Sequence, residues 1–248
     1  MLTNQERERY DRQIGIPEIG EEGQERLKKA SVFIAGAGGL GSPIALYLTA
    51  AGVGRMRILD HDSVDRTNLN RQVLHWEEDL KRKKAESALE KLGRMNPHVQ
   101  IEALAETISE GNAGKLVEGF DLIVDAMDNL PTRYLLNRIA VEKDIPFFHG
   151  AVRGFDGRAM TVIPGRSACL RCLYRGPVPE EKFPVLGATP AIIAAVQVTE
   201  VIKYIVGAGR LLTDRLLVYD GLDMTFMEFK IKRNPQCDHC GHLAGEEK

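Results

Sequence analysis

The chain has 248 residues, 44% of them hydrophobic, which is enough to bury one substantial core. Its 33 Lys and Arg against 35 Asp and Glu give a net charge of -2, which argues against a nucleic-acid binder driven by bulk positive charge. The sequence shows neither a signal-peptide core nor an apolar run of membrane-spanning length. We therefore expect a cytoplasmic protein that contacts neither nucleic acid nor a membrane.

A glycine-rich turn lies in the first fifth of the chain. Residues 1–30 are charged, with helical composition from Glu21 to Lys29, and Val32–Ala35 is an apolar run of strand type. Ser42–Ala51 then has helical composition. Between these last two segments the glycines follow G-x-G-x-x-G spacing, at Gly36, Gly38 and Gly41, with Gly39 inside the turn.

Such glycines let a phosphate lie against backbone N–H groups, at a helix N-terminus whose dipole favours negative charge. The turn therefore predicts a nucleotide site. It does not choose among NAD, FAD and ATP, and glycine-rich turns without ligands also occur.

The second predicted strand, Arg55–Leu59, leads directly into Asp60. An acidic residue at this point of a nucleotide-binding βαβ unit is placed to accept hydrogen bonds from ribose hydroxyls, so Asp60 strengthens the prediction. A polar loop follows and contains Asp62, Asn68, Arg71 and Gln72.

The central part of the chain continues to alternate between helix and strand. We predict helices over Lys81–Met95, from Ser109 onward and over Leu130–Lys143, and strands over His98–Leu104, Asp121–Ala126 and Ile145–Gly150. Five alternations predict an α/β fold with a Rossmann-like, doubly wound and mainly parallel sheet.

The last third changes character. Its segments are Arg153–Ile163 with strand-like halves around the turn F-D-G, the loop Tyr174–Gly187, an apolar helix from Thr189-Pro190 to about Val206, and a hairpin of Arg215–Tyr219 with Met224–Ile231. We expect these strands to extend the sheet edge as antiparallel strands.

All four cysteines fall in two C-x-x-C units, which are Cys169 with Cys172 and Cys237 with Cys240. Two such units supply the four thiolates of a tetrahedral zinc site, which is structural because it leaves no position for a substrate. A redox pair and reduced bystanders are the alternatives, but a redox unit does not need a second copy. We expect His239 to be a bystander, and His242 is a weaker alternative ligand.

Asp128 follows the fourth predicted strand, at the edge where open α/β sheets bind ligands. It either caps the helix that begins near Leu130, which is the better interpretation for this residue alone, or binds Mg²⁺ with phosphate oxygens and water. Asn68, Arg71 and Lys84 together favour the second interpretation, because a triphosphate and a leaving pyrophosphate need cations, which Arg71, Lys84 and a metal on Asp128 would supply. NAD needs little more than the glycine turn and Asp60, so we prefer ATP.

The motifs recur in a family-like order. They are G-A-G-G-L-G-S-P from Gly36, L-D-x-D-x-V from Leu59, N-L-x-R-Q from Asn68, Lys84 ahead of N-P-H at Asn96, D-A-M-D-N from Asp125, and the two C-x-x-C units. Together they resemble the MoeB/ThiF/HesA family, relatives of ubiquitin-activating enzymes, and most closely the layout of MoeB-type members. The resemblance runs from Arg9 to Cys240.

The resemblance implies an ATP-dependent adenylyltransferase. The C-terminal glycine of a small ubiquitin-like sulfur-carrier protein ending in Gly-Gly would attack the α-phosphate of ATP and release pyrophosphate, for molybdopterin, thiamine or related biosynthesis. The implied nucleotide-binding residues are Gly36, Gly38, Gly39, Gly41, Asp60, Asp62, Asn68, Arg71, Gln72, Lys84, Asp128 and Asn129. The implied catalytic residues are Arg12, Asn68, Arg71, Lys84 and Asp128, with Asp128 binding Mg²⁺.

Arg12 alone is an ordinary surface charge, but it matches the arginine that family members insert into the partner subunit's active site, so the resemblance implies a homodimer. Tyr174–Gly187 matches the family's crossover loop over the carrier's tail, with Phe183 near the carrier; an ordinary loop is the alternative. Residues 182–191 lack the cysteine with which some relatives bond the carrier covalently. We therefore expect the reaction to stop at the acyl-adenylate, with sulfur delivered by a separate sulfurtransferase.

Residues 1–248 then form one adenylation domain: a helical arm at 1–30, a nucleotide-binding core at 31–152, and an antiparallel extension with the crossover loop and zinc site at 153–248. The alternatives are a dinucleotide-dependent oxidoreductase and a non-catalytic binder of a ubiquitin-fold protein. Stronger stabilisation by NAD(H) than by Mg-ATP would favour the oxidoreductase. A binder would not need the whole set of implied catalytic residues.

Overall fold

The computed structural model describes residues 1–174 and 183–243. Its helices are α1 (Asn4–Arg9), α2 (Asp11–Ile14), α3 (Gly20–Lys29), α4 (Gly41–Ala51), α5 (Lys84–Met95), α6 (Ala113–Leu116), α7 (Leu130–Glu142), α8 (Leu170–Leu173) and α9 (Ala188–Val206). Its strands are β1 (Ser31–Ala35), β2 (Arg55–Leu59), β3 (Gln100–Leu104), β4 (Leu122–Asp125), β5 (Phe147–Arg153), β6 (Asp156–Val162), β7 (Arg215–Asp220) and β8 (Thr225–Lys230).

These strands form one mixed sheet in the order β3-β2-β1-β4-β5-β6-β7-β8. Neighbours from β3 to β5 are parallel, and neighbours from β5 to β8 are antiparallel. The register pairs Ala35 of β1 with Leu59 of β2 and with Asp125 of β4. The carboxyl ends of these three strands therefore meet at one edge, and the α/β fold with parallel and antiparallel strands is confirmed.

Side chains of β1 alternate between two cores, one on each face of the sheet. Val32 and Ile34 belong to the core that contains residues of α3, α4, α5 and α9, whereas Phe33 and Ala35 belong to the core that contains residues of α6, α7 and α8. All four side chains are fully buried. A strand buried on both faces is the pattern of a parallel sheet with helices on both sides.

The prediction that F-D-G forms a turn between two strands within Arg153–Ile163 is wrong in the position of the turn. β5 continues through Gly150, and a turn at Gly154 and Phe155 joins it to β6, so F-D-G enters the strand. Gly154 has the left-handed φ of +59° that glycine adopts readily. Gly157 serves packing instead, because a Cβ there would lie 2.3 Å from Ile193 Cγ1 of α9.

α9 has 19 residues and is long and apolar enough for a membrane span by length and composition, which the sequence expectation did not anticipate. Half of its apolar stretch is buried inside the protein, where α9 packs on α4, β5 and β6. Its Glu200 is also buried and accepts hydrogen bonds from Thr161 Oγ1 at 2.7 Å and the Leu212 N–H at 2.6 Å. α9 is therefore a helix of the core.

The N-terminal helices are fastened to the C-terminal end of α4. Asn96, after α5, is fully buried, and its side-chain amide donates to the Tyr10 hydroxyl and to the Thr49 carbonyl, both at 2.8 Å. Gln13 of α2 donates to the Ala51 carbonyl at 3.0 Å. The arm therefore lies at the opposite end of α4 from the glycine turn.

Replacing Asn96 by Ala removes both of these buried hydrogen bonds. We expect Asn96→Ala to lower the free energy of unfolding by about 2–3 kcal/mol in urea titrations. Asn4→Ala, at an exposed position of α1, is the control and should change it by less than about 0.5 kcal/mol. Equal stability of the two variants would contradict the role given to Asn96.

Candidate functional site

The glycine turn connects β1 to α4 at the edge where the parallel strands end. Gly36 has a φ of +105°, and a Cβ there would lie 2.7 Å from the Ala126 carbonyl oxygen. A Cβ on Gly41 would lie 1.9 Å from the Gly36 carbonyl oxygen. The turn thus packs backbone against backbone on the segment that follows β4, and only glycine fits at these two positions.

Gly38 and Gly39 have no such requirement within the described chain. A Cβ on Gly38 would come no closer than 3.6 Å, to Gln72 Nε2, and one on Gly39 no closer than 3.4 Å, to Pro190. Both distances are ordinary contacts, and neither glycine has a positive φ. A bare backbone next to a helix N-terminus is what close approach of a phosphate requires.

Asp60 is fixed by two backbone groups of the site. One carboxylate oxygen accepts from the Ala37 N–H in the glycine turn, and the other accepts from the Asp62 N–H, both at 2.9 Å. The remaining lone pairs of these oxygens are available to donors such as ribose hydroxyls.

Lys84 begins α5 and is only 4% exposed. Its Nζ lies 2.8 Å from Asp62 Oδ2, and its N–H donates to the Asp62 carbonyl. Burial raises the pKa of Asp62, but the hydrogen bond and charge of Lys84 outweigh this and lower it overall. The lysine is therefore a fixed cation paired with a carboxylate two residues from Asp60.

His75 belongs to this region, and sequence reasoning missed it. It is buried, with Nε2 at 3.0 Å from the Ala37 carbonyl and Nδ1 at 2.9 Å from Ser87 Oγ. Burial lowers its pKa, so the ring is neutral at pH 7. His75 therefore holds the glycine turn through its hydrogen bond to Ala37. Its position just after the N-L-x-R-Q segment was the feature of the sequence that could have indicated this role.

The three polar residues of N-L-x-R-Q have different surroundings. Asn68 Oδ1 accepts from the Asp65 N–H at 3.2 Å. Arg71 donates to the Thr67 carbonyl at 2.9 Å and lies beside Gly39. Gln72 is 4% exposed, and its Oε1 has no hydrogen-bond partner among the described residues.

Asp128 does not cap α7, so the interpretation favoured for that residue alone is wrong. Asn129 is the capping residue, because its Oδ1 accepts from the Thr132 N–H at 3.0 Å. The exposed Asp128 carboxylate is contacted within the described chain by Asn129 Nδ2, at 3.4 Å. Asp128 stands two residues after Ala126, which touches Gly36, so it lies on the same sheet edge as the turn.

A buried polar cluster behind this segment also escaped sequence reasoning. Asp125 and His149 are fully buried, with His149 Nδ1 at 2.6 Å from Asp125 Oδ2, and Arg133 Nε lies 3.5 Å from the same oxygen. Burial lowers the pKa of His149 even though Asp125 acts in the opposite direction. His149 is therefore neutral and donates from Nδ1.

Arg12 is not brought together with the other predicted residues. It is exposed on α2, and its side chain makes no hydrogen bond or ion pair with the described residues. Its neighbour Gln13 contacts Ala51 at the end of α4, whereas the glycine turn precedes the start of α4. The helix between them is about 15 Å long at 1.5 Å per residue.

The four cysteines converge, as predicted. Their sulfur atoms lie within 4.8 Å of one another, and the closest pairs are separated by 3.5 Å, 3.6 Å and 4.0 Å. Tetrahedral zinc with Zn–S bonds of 2.3 Å needs sulfur separations of about 3.8 Å. Hydrogen bonding from Cys169 lowers the pKa of Cys240 to about 5. His239 is hydrogen-bonded to Asn137 and not to the cysteines, as expected for a bystander.

The predicted loop Tyr174–Gly187 lies partly outside the described residues, because 175–182 are not described. Its end pairs with the β5–β6 turn: the Gly154 N–H donates to Pro184, and the Leu186 N–H donates to Gly154. Gly187 packs on the Asn70 carbonyl, where a Cβ would lie at 2.2 Å. The loop thus ends against the N-L-x-R-Q segment.

Solved structures support this fold. The crystal structure of E. coli MccB with MccA-N7isoASN has a TM-score of 0.84 and 23% identity, and it covers 95% of this chain and 74% of MccB. At this identity the likeness shows the fold alone.

Sequence relatives are more similar. The Thermus thermophilus sulfur carrier protein adenylyltransferase is 42% identical, with 96% of this chain and 92% of the relative covered. The Haloferax volcanii SAMP-activating enzyme E1 is 42% identical, with 94% of this chain and 88% of the relative covered. The adenylyltransferase and sulfurtransferase MOCS3 of Drosophila sechellia is 40% identical, and the match covers 96% of this chain but 54% of MOCS3. Since the ThiF family profile also matches residues 10–239, the chain belongs to the ThiF family.

Proposed function

We propose that the chain catalyses ATP-dependent adenylation of the C-terminal glycine of a small ubiquitin-like sulfur-carrier protein. The observation that carries this proposal is the bare backbone of Gly38 and Gly39 at the start of α4. It lies on the same sheet edge as Asp60 and Asp128, and the Asp128 carboxylate is not used to cap α7. The names of the Thermus and Haloferax relatives, each 42% identical, support the same activity.

In the reaction, an oxygen of the carrier's C-terminal carboxylate forms a bond to the α-phosphorus of ATP. The bond from that phosphorus to the bridging oxygen breaks, and pyrophosphate leaves with the electron pair. Lys84 and Arg71 supply positive charge beside the phosphates as the leaving group gains negative charge. The ion pair with Asp62 holds Lys84 in place, so little rearrangement is needed.

The residues present fit a nucleotide with Mg²⁺. The exposed Asp128 carboxylate has free lone pairs, and one carboxylate with phosphate oxygens and water is a common Mg²⁺ ligand set. Gln72 Oε1, buried without a partner in the described chain, is an acceptor for a nucleotide donor. When bound, Mg²⁺ would neutralise phosphate charge. The glycine turn, Asp60, Arg71 and Lys84 would bind and orient the nucleotide.

ATP–pyrophosphate exchange with Mg²⁺ tests the proposal. We expect exchange that depends on one Gly-Gly-terminated ubiquitin-fold protein from the same source, and loss of exchange when the carrier's terminal glycine is deleted. Asp128→Ala should lower the exchange rate at least about 100-fold, because a charge-stabilising group is lost. Absence of exchange with every carrier, in protein that binds ATP, would overturn the proposal.

Arg12 supports a homodimeric site. Its neighbour Gln13 contacts Ala51 at the end of α4, the glycine turn precedes the start of α4, and this helix is about 15 Å long. Beside Arg12, Gln13, Ile16, Ile19, Ile202 and Val206 line a groove of about 400 Å³ along the exposed face of α9. A two-fold contact between copies would cover this apolar face and carry Arg12 toward the other site.

A second groove, of about 650 Å³, lies on the other side of the same α9 face. Ile192, Val196 and Leu217 line it, and Thr199 and Lys203 of α9 border both grooves. The surface of α9 that residues 1–174 and 183–243 leave uncovered is therefore continuous and largely apolar, as a permanent interface requires.

A mixing experiment tests the shared site. Arg12→Ala alone should lower exchange at least about 100-fold without unfolding the protein. Co-expressed Arg12→Ala and Asp128→Ala chains should regain about a quarter of the wild-type rate, because half of random dimers are mixed and each contains one intact site. Arg9→Ala, at an exposed arginine on α1, is the matched control and should stay active. No recovery in mixed dimers would contradict the shared site.

We further propose that the cysteine cluster binds structural zinc. The sulfur separations match a four-thiolate zinc site, and all four cysteines of the chain are used. The metal would join the segment after β6 to the C-terminal segment at Cys237. With no thiol left over, the reaction would stop at the acyl-adenylate, and a separate sulfurtransferase would supply sulfur.

Cys240→Ser should lose zinc, measured by metal analysis of purified protein. Residues 163–174 and 231–243 should then exchange amide hydrogens faster, while ATP binding at the glycine turn is retained, because the sheet supports that turn independently of the metal. His242→Ala, beside the cluster, should keep its zinc. A full zinc content in Cys240→Ser would exclude the four-thiolate site.

The carrier's globular part needs its own contact surface, and the β7–β8 hairpin offers one. Leu222, Met224, Phe226 and Phe229 are each more than half exposed. The Gly221 N–H at the start of the hairpin turn donates to Phe155 in the β5–β6 turn. The apolar surface therefore begins beside the loop end that reaches the nucleotide site. Which carrier binds, and whether it serves molybdopterin, thiamine, cysteine or tRNA thiolation, depends on the carrier's surface.

A further inference from the structure

The peptide groups on both sides of Met127 are held by two charged side chains, one fully buried and one largely buried. The Met127 N–H donates to Asp125 Oδ1 at 3.0 Å. The Met127 carbonyl accepts from Arg133 Nε at 3.2 Å, and Arg133 also donates to the Gly150 carbonyl at 3.0 Å. The residue immediately before Asp128 is therefore fixed at both its donor and its acceptor.

The groups that hold Met127 are fixed in turn by three other elements. Asp125 ends β4, His149 of β5 donates to its second oxygen, and Arg133 projects from α7 and is 12% exposed on its side chain. Gln197 of α9 donates to the Asp125 carbonyl at 2.9 Å. β4, β5, α7 and α9 thus all contribute to the position of one turn.

Packing alone does not require this arrangement. Buried Asp125 and His149 and the largely buried Arg133 lose hydration, and well-packed apolar side chains of similar size often give equal or greater stability. What charged groups add is directional hydrogen bonding, and here it is aimed at the backbone around Met127. Arg158 is a further positive group near His149, and it acts with Arg133 and burial to keep that ring neutral.

We propose that Arg133, with Asp125 and His149 behind it, is a positioning residue that sets the direction of the Asp128 carboxylate. The inference rests on the proposed function for the ligand of Asp128, a divalent metal bound with the nucleotide. Among the described residues, Asp128 makes no cap and has one weak contact, to Asn129, so its direction follows from the backbone on which it stands.

Arg133→Lys tests this while keeping the positive charge next to buried Asp125. A lysine ammonium cannot reproduce the planar fork that donates to two carbonyls. In the free protein, amide hydrogens of residues 126–129 should exchange about tenfold faster, as expected when a hydrogen bond to a charged group is lost. With a non-hydrolysable ATP analogue present, Mn²⁺ binding followed by electron paramagnetic resonance should weaken about tenfold.

Thr161→Val, on the adjacent strand β6, is the matched control, since it removes a buried hydrogen bond to Glu200 of α9. It should lower the melting temperature without changing either readout at residues 126–129. His149→Leu should act like Arg133→Lys, and His149→Asn, which keeps a donor near Nδ1, should restore wild-type behaviour.

An unchanged rate of amide hydrogen exchange at residues 126–129 in Arg133→Lys would overturn the inference. An equal change of that rate in Thr161→Val would overturn it too. The amide hydrogen exchange measurement uses no nucleotide or carrier, so it separates this inference from the proposed function. If wild-type protein lacks ATP–pyrophosphate exchange but Arg133→Lys still loosens the turn, adenylation fails and the positioning of the turn stands.

Discussion

The backbone contact between the glycine turn and Ala126 is the constraint on which the site depends. Gly36 and Gly41 have no side chains, so the turn lies directly against the segment that follows β4. The N-terminus of α4 and Asp128 are therefore held on one edge of the sheet, where open α/β sheets bind ligands. A methyl group at either glycine would separate the bare backbone of Gly38 and Gly39 from the Asp128 carboxylate, even if each part kept its own structure.

Several residues of the site already have partners inside the chain. Lys84 is paired with Asp62, Asn68 accepts from Asp65, and Arg71 donates to Thr67. These contacts hold the side chains in defined positions before any ligand arrives, which lowers the entropy lost on binding. Under the proposed function, a nucleotide would share or displace some of them, so part of its interaction energy would be offset by contacts that the protein gives up.

The parallel strands, the glycine turn and the cysteine cluster could be predicted because their signals are local: apolar runs, glycine spacing and paired C-x-x-C units. The partners of His149 could not, since a buried polar residue is matched only when β4 and β5 pair. Asp128 and Asn129 both suit a helix cap, and one residue of difference in the start of α7 decides between them. Gly157 was misassigned to a turn because its role, close packing of Ile193, is a long-range contact.

The β7–β8 hairpin has a consequence for handling the protein. β8 is the last strand of the described sheet, its outer edge has no neighbouring strand there, and all six of its residues are exposed. Phe226, Met227 and Phe229 lie on that open edge, with Glu228 and Lys230 as the charges that discourage edge-to-edge pairing. In concentrated samples the apolar side chains of this edge therefore favour self-association and the charges of Glu228 and Lys230 oppose it, so a partner that covers the edge keeps the protein dispersed.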